Sequence, residues 1–211
     1  MQRSNKLGKA ISVAFALLLW QIAAAAVDQS ILLVSPVDVA LRMTTIWQVE
    51  GFLSSIWFSF YHIAGGFLLA LVTGVVLAAL SWRFPWIETA LWPFMITVKT
   101  VPVASFVVIC LIWLSAQNLS VFISFLIVLP VVYGNVLEGI KSEDRKMLEV
   151  GQVFAMSAVK RILYIHMPQL KPFILSACAT SLGMSWKAGV AAEIIGTPDG
   201  SIGKQLYYAK I

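Results

Sequence analysis

The sequence is poor in charged residues. Only 12% of its 211 residues are Asp, Glu, Lys or Arg, whereas 60% are hydrophobic, and the mean hydropathy is +0.88. A soluble domain usually has about 25% charged and about 45–50% apolar residues. Apolar runs near the roughly 20 residues needed to cross a bilayer as helix recur, and no sustained alternating strands are present. These totals predict an all-α integral membrane protein in contact with lipid. The net charge of +5 is therefore interpreted as a topology signal, and nucleic acid is not expected as a partner.

The sequence also lacks the motifs of common enzymes. It has no GxxxxGK[ST] phosphate loop, no HExxH and no GxSxG, and it contains only two histidines. No paired carboxylates lie in an apolar run. The two cysteines form no CxxC and lie in apolar runs, which favours a packing role. We therefore predict no catalytic residue, no metal site and no cofactor bound by this chain, and a membrane-embedded enzyme is disfavoured.

About five transmembrane helices are predicted. They cover residues 7–27, 52–80, 103–114, 119–136 and 172–190. The third is short, so part of the preceding segment, a surface helix interrupted by Pro93 and Pro102, is expected to be immersed. The basic start and Ala-rich end of the first span resemble a secretory signal. Its apolar part, residues 10–27, is longer than the usual 7–15 residues, which favours a retained span.

The basic residues indicate an orientation. Most of them precede the first span or lie in the segments between spans two and three and between spans four and five. The positive-inside rule therefore predicts a cytoplasmic N-terminus and places residues 142–168 in the cytoplasm of a cell with this protein in its plasma (inner) membrane.

Small residues recur every fourth position in two predicted spans. Either they allow close helix packing in lipid, which is the favoured interpretation, or they line a passage. A histidine one turn before the first stripe is a functional candidate by default. These candidates are His62, Gly66, Ala70, Gly74 and Ala78 in span two, and Ala177, Ser181, Ser185 and Gly189 in span five.

A charged, helix-forming segment follows span four and is expected to end at Pro168 and Pro172. Ser142 is its predicted N-cap, with Asp144 and other acidic residues in the first turn. Met147, Leu148, Val150, Val153 and Phe154 give it an apolar side. Such a helix either docks into a groove of a partner or lies on lipid headgroups.

The same segment resembles the cytoplasmic EAA loop of permease subunits of binding-protein-dependent ABC importers. That motif reads Glu-Ala-Ala, three residues, Gly, nine residues, Ile-x-Leu-Pro. Its spacing is kept here, with Val150 for an Ala, Ala155 for the usual Gly and Met167 for a Leu. The matching positions are Glu149, Val150, Gly151, Ala155, Ile165 and Pro168.

Three further stretches extend the resemblance over most of the chain from about Ser35. "SPVDV", "VKTVPVASF" and "SWKAGVAAEIIGTPDGSIGKQLYYAK" are similar to the nitrate/sulfonate/taurine branch of these permeases. The resemblance implies a single transmembrane domain over residues 1–211 with a coupling loop at residues 142–168. Members of this branch usually have six spans, so the last span is expected to be missing and the sequence to be truncated.

The resemblance also implies partners. The chain would pair with a second copy, two ABC ATPase subunits that carry ATP and Mg²⁺, and an extracytoplasmic substrate-binding protein. Glu149 would contact the ATPase, Gly151 and Ala155 would allow close approach, and Pro168 would set the exit toward span five. Two alternatives stay open: Glu149 as a solvated helix charge, and a passive channel or scaffold that needs no ATPase.

Two charges near the outer end of span five form the last candidate site. Lys187 and Glu193 are expected to face water, protein or each other, because a charge at mid-membrane costs about 2.5–3.5 kcal/mol on insertion scales. They are predicted to stabilise the turn toward the missing span or, alternatively, to contact the substrate or the binding protein.

Overall fold

The computed structural model describes residues 2–29 and 32–209, and within them every regular element is helical. This confirms the all-α prediction. The α-helices are α1 (Gln2–Val27), α2 (Pro36–Thr45), α3 (Phe52–Arg83), α4 (Pro85–Thr100), α5 (Val103–Cys110), α6 (Ala116–Lys141), α7 (Arg145–Val153), α8 (Ala158–Arg161), α9 (Met167–Gly196) and α10 (Ile202–Ala209). A 3₁₀ turn covers Ile46–Gln48, and a π-helical turn, Ile162–His166, joins α8 to α9.

The chain divides into two compact units, Met1–Leu53 and Ser54–Ile211. In the first, α1 is apolar and long enough to cross a membrane over Gly8–Val27. The Trp20 indole donates a hydrogen bond to the Val34 carbonyl just before α2. Ser35 caps α2 by accepting a hydrogen bond from the Asp38 amide, with Pro36 at the first helical position, where its missing N–H is harmless.

The core of the second unit is built where α3, α6 and α9 meet. Residues of α6 line its centre: Val128, Val132 and Val136 are almost completely buried. α9 runs antiparallel to α6, since Gly196 lies against Leu119 near one end and Gly139 against Phe173 near the other. Small residues make this closeness possible, because lipid offers no hydrophobic drive and backbones must approach to gain contact.

Both small-residue stripes lie in these contacts. Gly66, Ala70, Gly74 and Ala78 are buried along α3, and Ala177, Ser181, Ser185 and Gly189 are buried along α9. A Cβ on Gly66 would lie 2.2 Å from the Val121 carbonyl oxygen. A Cβ on Gly189 would lie 2.5 Å from the Ile63 side chain. Their placement favours the packing interpretation over a passage within this chain.

The helix that was predicted to form the third span is interrupted. The predicted segment, residues 103–114, is not a single helix: α5 ends at Cys110 and a turn follows. The longer helix is the preceding α4, and α4 and α5 are bent by 105° relative to each other. Pro102 explains the break, since it provides no backbone donor and disfavours helical geometry at the residue before it.

Within residues 2–29 and 32–209, three helices are apolar and long enough to cross a membrane, or up to four if α4 and α5 count as one broken span. They are Gly8–Val27, α3 and α6. The predicted fifth span, residues 172–190, lies within α9, which has 30 residues but is not among them. Its helix also begins earlier than predicted and continues through Pro172. Pro168 is tolerated because it lies in the first turn.

Candidate functional site

The segment between α6 and α9 begins differently from the prediction. Ser142 is the C-cap of α6, where its hydroxyl donates to the Gly139 carbonyl. Asp144 is the N-cap of α7 and accepts a hydrogen bond from the Lys146 amide at 2.9 Å. The predicted cap at Ser142 is therefore wrong: α6 continues to Lys141, and the carboxylate two residues further on is the group that reaches the free amides of the next helix.

The end of α7 is a sharp turn at the position where the EAA motif has glycine. The Met156 amide donates to the Gly151 carbonyl at 3.0 Å, and the Ala155 amide donates to the Gln152 carbonyl at 2.9 Å. These two bonds define a Schellman C-cap. Ala155 occupies the left-handed position of this cap, with φ of 46°. The turn is thus kept with Ala155 in place of glycine, at a cost of about 1–2 kcal/mol for the left-handed conformation.

Two polar contacts join the residues at the beginning of α7 to the residues around the start of α9. The carboxylate of Glu143, only 3% exposed, lies 2.8 Å from His166 Nδ1. The Asp144 amide donates to the Gln169 side-chain oxygen at 2.8 Å. The sequence pattern did not indicate either contact, because the partners are more than 20 residues apart. Together they tie the beginning of α7 to the first turn of α9.

Gly151 and Ile165 of the motif meet each other. Gly151 is buried, and a Cβ there would lie 2.6 Å from Ile165 Cδ1. Ile165 is itself 5% exposed. The close approach that Gly151 allows is therefore made inside the segment, between α7 and the π-helical turn. It adds a packed contact to the two polar contacts that hold α7 in place.

The apolar side of α7 has no cover among the described residues. Val153 and Phe154 are 81% and 74% exposed, and Met147 and Val150 are about half exposed. Glu149 is also exposed, and no hydrogen bond or ion pair is found for it in the part of the chain that the structure describes. A contiguous exposed apolar patch of this kind marks an interaction surface. We call Met147, Glu149, Val150, Val153 and Phe154 the α7 surface.

Glu193 lies at the other end of α9 and is completely buried. Its Oε2 accepts a hydrogen bond from the Ser59 hydroxyl at 2.6 Å and from the Gly203 amide at 3.3 Å. Ser59 in turn accepts a hydrogen bond from the Ile202 amide. The carboxyl group thus joins α3, α9 and the beginning of α10. Glu193 therefore lies at the turn after span five that it was predicted to stabilise. This turn leads into α10.

Lys187 does not pair with Glu193. It lines a partly open cavity of about 380 Å³ between α4, α6 and α9, together with Lys99 of α4. Lys99 lies within the stretch "VKTVPVASF", but it was not among the residues predicted from the sequence to form a site. The signal available was a lone lysine just before a proline-broken helix in an apolar region. The two lysines are 88 positions apart in the sequence, so their place in one cavity depends on packing between helices, which the sequence did not predict.

His62 contacts its own helix. Its Nδ1 lies 2.8 Å from the Phe58 carbonyl, to which it donates as the Nδ1–H tautomer, and its ring stacks on Phe58. Among the described residues no group of three or more His, Cys, Asp or Glu side chains is arranged to hold a metal ion.

Comparison with known proteins identifies the family. Residues 66–211 match the family described as binding-protein-dependent transport system inner membrane component. The chain is 26% identical over 198 residues to a nitrate import permease protein of Synechococcus elongatus, covering 89% of this chain and 70% of the relative. It is 28% identical over 185 residues to a Bacillus subtilis protein named as a permease for aliphatic sulfonates transport, covering 86% and 67%.

The name of a third relative mentions a different solute. This is a formylaminopyrimidine transport permease protein of Halalkalibacterium halodurans, 24% identical over 187 residues, covering 87% of this chain and 74% of the relative. All three are named as transport permeases. The chain therefore belongs to the binding-protein-dependent transport system inner membrane component family, as an ABC importer permease of the nitrate/sulfonate branch.

Proposed function

We propose that this chain and a second copy of it enclose the path of an ATP-driven importer, and that residues 142–168 receive the motion of a separate ATPase. The observation that carries the proposal is the uncovered α7 surface on a helix clamped to α9. ATP and Mg²⁺ would be bound by the ATPase, and an extracytoplasmic protein would deliver the solute. Family membership supports ATPase and binding-protein partners in general.

The charge pattern supports a cytoplasmic position for α7. Lys141, Arg145, Lys146, Lys160 and Arg161 lie in or beside the segment, and basic residues concentrate in cytoplasmic loops. The same rule gives a cytoplasmic N-terminus in a multi-pass inner-membrane protein.

The contacts between the beginning of α7 and the start of α9 explain how motion of the ATPase would reach the spans. When two ATPase subunits close around ATP, a rigid-body displacement would act on the α7 surface. Glu143–His166 and Asp144–Gln169 hold α7 to the first turn of α9, so the displacement would pass into a 30-residue helix. A loosely tethered loop would absorb such a motion, whereas a packed one transmits it.

The solute is proposed only as a small one, of the nitrate, sulfonate or taurine type or a related compound such as bicarbonate or a pyrimidine. The named solutes of the relatives differ from one another. This favours a division in which the binding protein makes the first selection.

Co-purification with a co-expressed ABC ATPase subunit tests the coupling role. Glu149→Arg and Phe154→Asp are expected to reduce ATPase association about ten-fold or more each, the equivalent of about 1.4 kcal/mol. Glu138→Arg, at an exposed glutamate near the end of α6, is the matched charge-reversal control and should keep the ATPase bound.

Retention of the ATPase by both α7 variants would contradict the proposal. It would favour α7 as a helix that lies on lipid headgroups. Solute flux that needs no ATPase and no ATP would instead favour a passive channel.

A further inference from the structure

The cavity between α4, α6 and α9 has an unusual lining. Lys99 and Lys187 are its two charged residues, and its other lining residues are all apolar. These are Val98, Val101, Val103, Ile127, Pro130, Val131, Met184, Ala188 and Ala191. Neither lysine forms an ion pair or a hydrogen bond within the part of the chain that the structure describes. Two lysines, both exposed, thus line one small apolar cavity whose lining contains no carboxylate.

The cavity lies at the middle of a membrane-spanning helix. Its lining residues Ile127, Pro130 and Val131 are roughly 16–22 Å from the first residue of α6, a 26-residue helix about 39 Å long. A Cβ on Gly134 would lie 3.6 Å from Lys99 Nζ, so this ammonium group faces α6 near the same level. In secondary transporters, solute sites lie typically near the bilayer midplane.

The carboxylates of the surrounding helices are engaged elsewhere or lie outside the cavity. Glu88 of α4 pairs with Lys141, and Glu193 of α9 accepts hydrogen bonds from Ser59 and Gly203. Glu138 of α6 is exposed and is not part of the lining. Unpaired charges at membrane depth are costly and mark ion or substrate paths. A structural role would be expected to come with a partner carboxylate, and none lies there among the described residues.

We propose that Lys99 and Lys187 form an anion site on the translocation path, which accepts a small oxyanion and disfavours uncharged solutes. This inference rests on the proposed translocation role and specifies its substrate class. Both lysines are exposed, so their side chains are accessible to an anion that enters the cavity. The volume of about 380 Å³ lies within the range of small-ligand pockets and exceeds the needs of nitrate, bicarbonate or a short sulfonate.

Protection of the two lysines from an amine reagent tests the site without an ATPase. The full chain in lipid nanodiscs is treated with trinitrobenzenesulfonate in the presence of potassium nitrate, potassium bicarbonate or potassium ethanesulfonate. Modification is followed by mass spectrometry at Lys99, Lys187 and Lys171, an exposed lysine of α9 outside the cavity. Urea, planar and uncharged, is the matched neutral probe. An anion at twice its dissociation constant should slow modification of Lys99 and Lys187 about three-fold, with Lys171 unaffected.

Equal slowing at Lys171, equal protection by urea, or protection by none of the three anions would overturn the inference. The second arm uses the assembled importer with its ATPase and binding protein. For whichever of the anions it accumulates, Lys99→Gln and Lys187→Gln are expected to lower uptake about ten-fold, equal to about 1.4 kcal/mol. Lys187→Arg should retain most uptake, and Lys171→Gln all of it.

The two arms separate failure of the site from failure of the coupling role. Uptake that persists in both glutamine variants overturns the anion site while the importer still works. If the wild-type chain does not associate with the ATPase, the proposed coupling fails, and the protection experiment alone decides whether the anion site exists.

Discussion

Replacement of Gly66 by alanine measures how closely α3 and α6 must approach. The added Cβ would lie 2.2 Å from the Val121 carbonyl oxygen and 2.9 Å from Ser124 Cβ, whereas ordinary contact begins at 3.4 Å. A shift of about 1 Å between the helices is required, because a backbone carbonyl cannot rotate away. Overpacking of this kind costs about 1–3 kcal/mol, and the direct clash with backbone favours the upper half of that range.

Gly65→Ala is the matched control on the same helix. Nothing lies within 4 Å of a Cβ at Gly65. Both variants gain the helix propensity of alanine over glycine, about 1 kcal/mol, so the difference between them isolates the steric cost at Gly66. For a chain of this size, about 2–3 kcal/mol corresponds to a melting temperature about 4–12 °C lower.

Thermal unfolding of the purified full chain in detergent, followed by tryptophan fluorescence, provides the assay. Gly66→Ala should melt below Gly65→Ala by that margin. If Gly66→Ala melts at or above the control, α3 does not pack against α6 through its small-residue stripe, and the packing interpretation fails.

Three further perturbations follow from the same contacts. Ala155→Gly removes the steric cost of the left-handed conformation at residue 155. After the entropy cost of glycine is subtracted, the end of α7 should be more stable by about 0.5–1 kcal/mol, which slower amide exchange in α7 would show. Gly203→Ala would place a Cβ 2.5 Å from backbone of α9 and should raise amide exchange across α10, whereas Gly183→Ala, with open space around it, should not. The hydrogen bond and then the charge of Lys204 lower the pKa of Asp199 below 3.8. The stability this gives is present above pH 3.8 and lost as pH falls through the folded value, so Asp199→Asn should abolish a small acid-dependent decrease in melting temperature.

The sequence predicted those parts of the fold that depend on composition and local spacing. Low charge and long apolar runs were enough for the helical membrane class. The four-residue repeat of Gly66, Ala70, Gly74 and Ala78 marked a face that the structure buries. The EAA spacing located a helix that is present as α7. Each of these signals lies within one helix or one loop, where residue spacing alone defines the geometry.

What the sequence did not predict depends on contacts between distant segments. Ser142 and Asp144 are both good N-caps, and the choice between them depended on how far α6 continued. Pro102 indicated a break but not its angle of 105°. The cavity that Lys99 and Lys187 both line is formed by residues distant in sequence, so no argument from spacing could predict it.

α9 is the element that connects the candidate sites. Its first turn holds the clamp to α7, and Lys187 follows 20 positions after Met167, roughly 30 Å along the helix axis. Glu193 then fixes its far end to α3 and α10. α6 contacts α9 near both of its ends, and Pro172 within α9 is the position at which the helix can bend. Under the proposed coupling, a tilt of α9 would move Lys187 relative to Lys99, which lies on the separate helix α4. A displacement at the α7 surface would then change the distance between the two lysines, and α9 would link the proposed coupling to the proposed anion site.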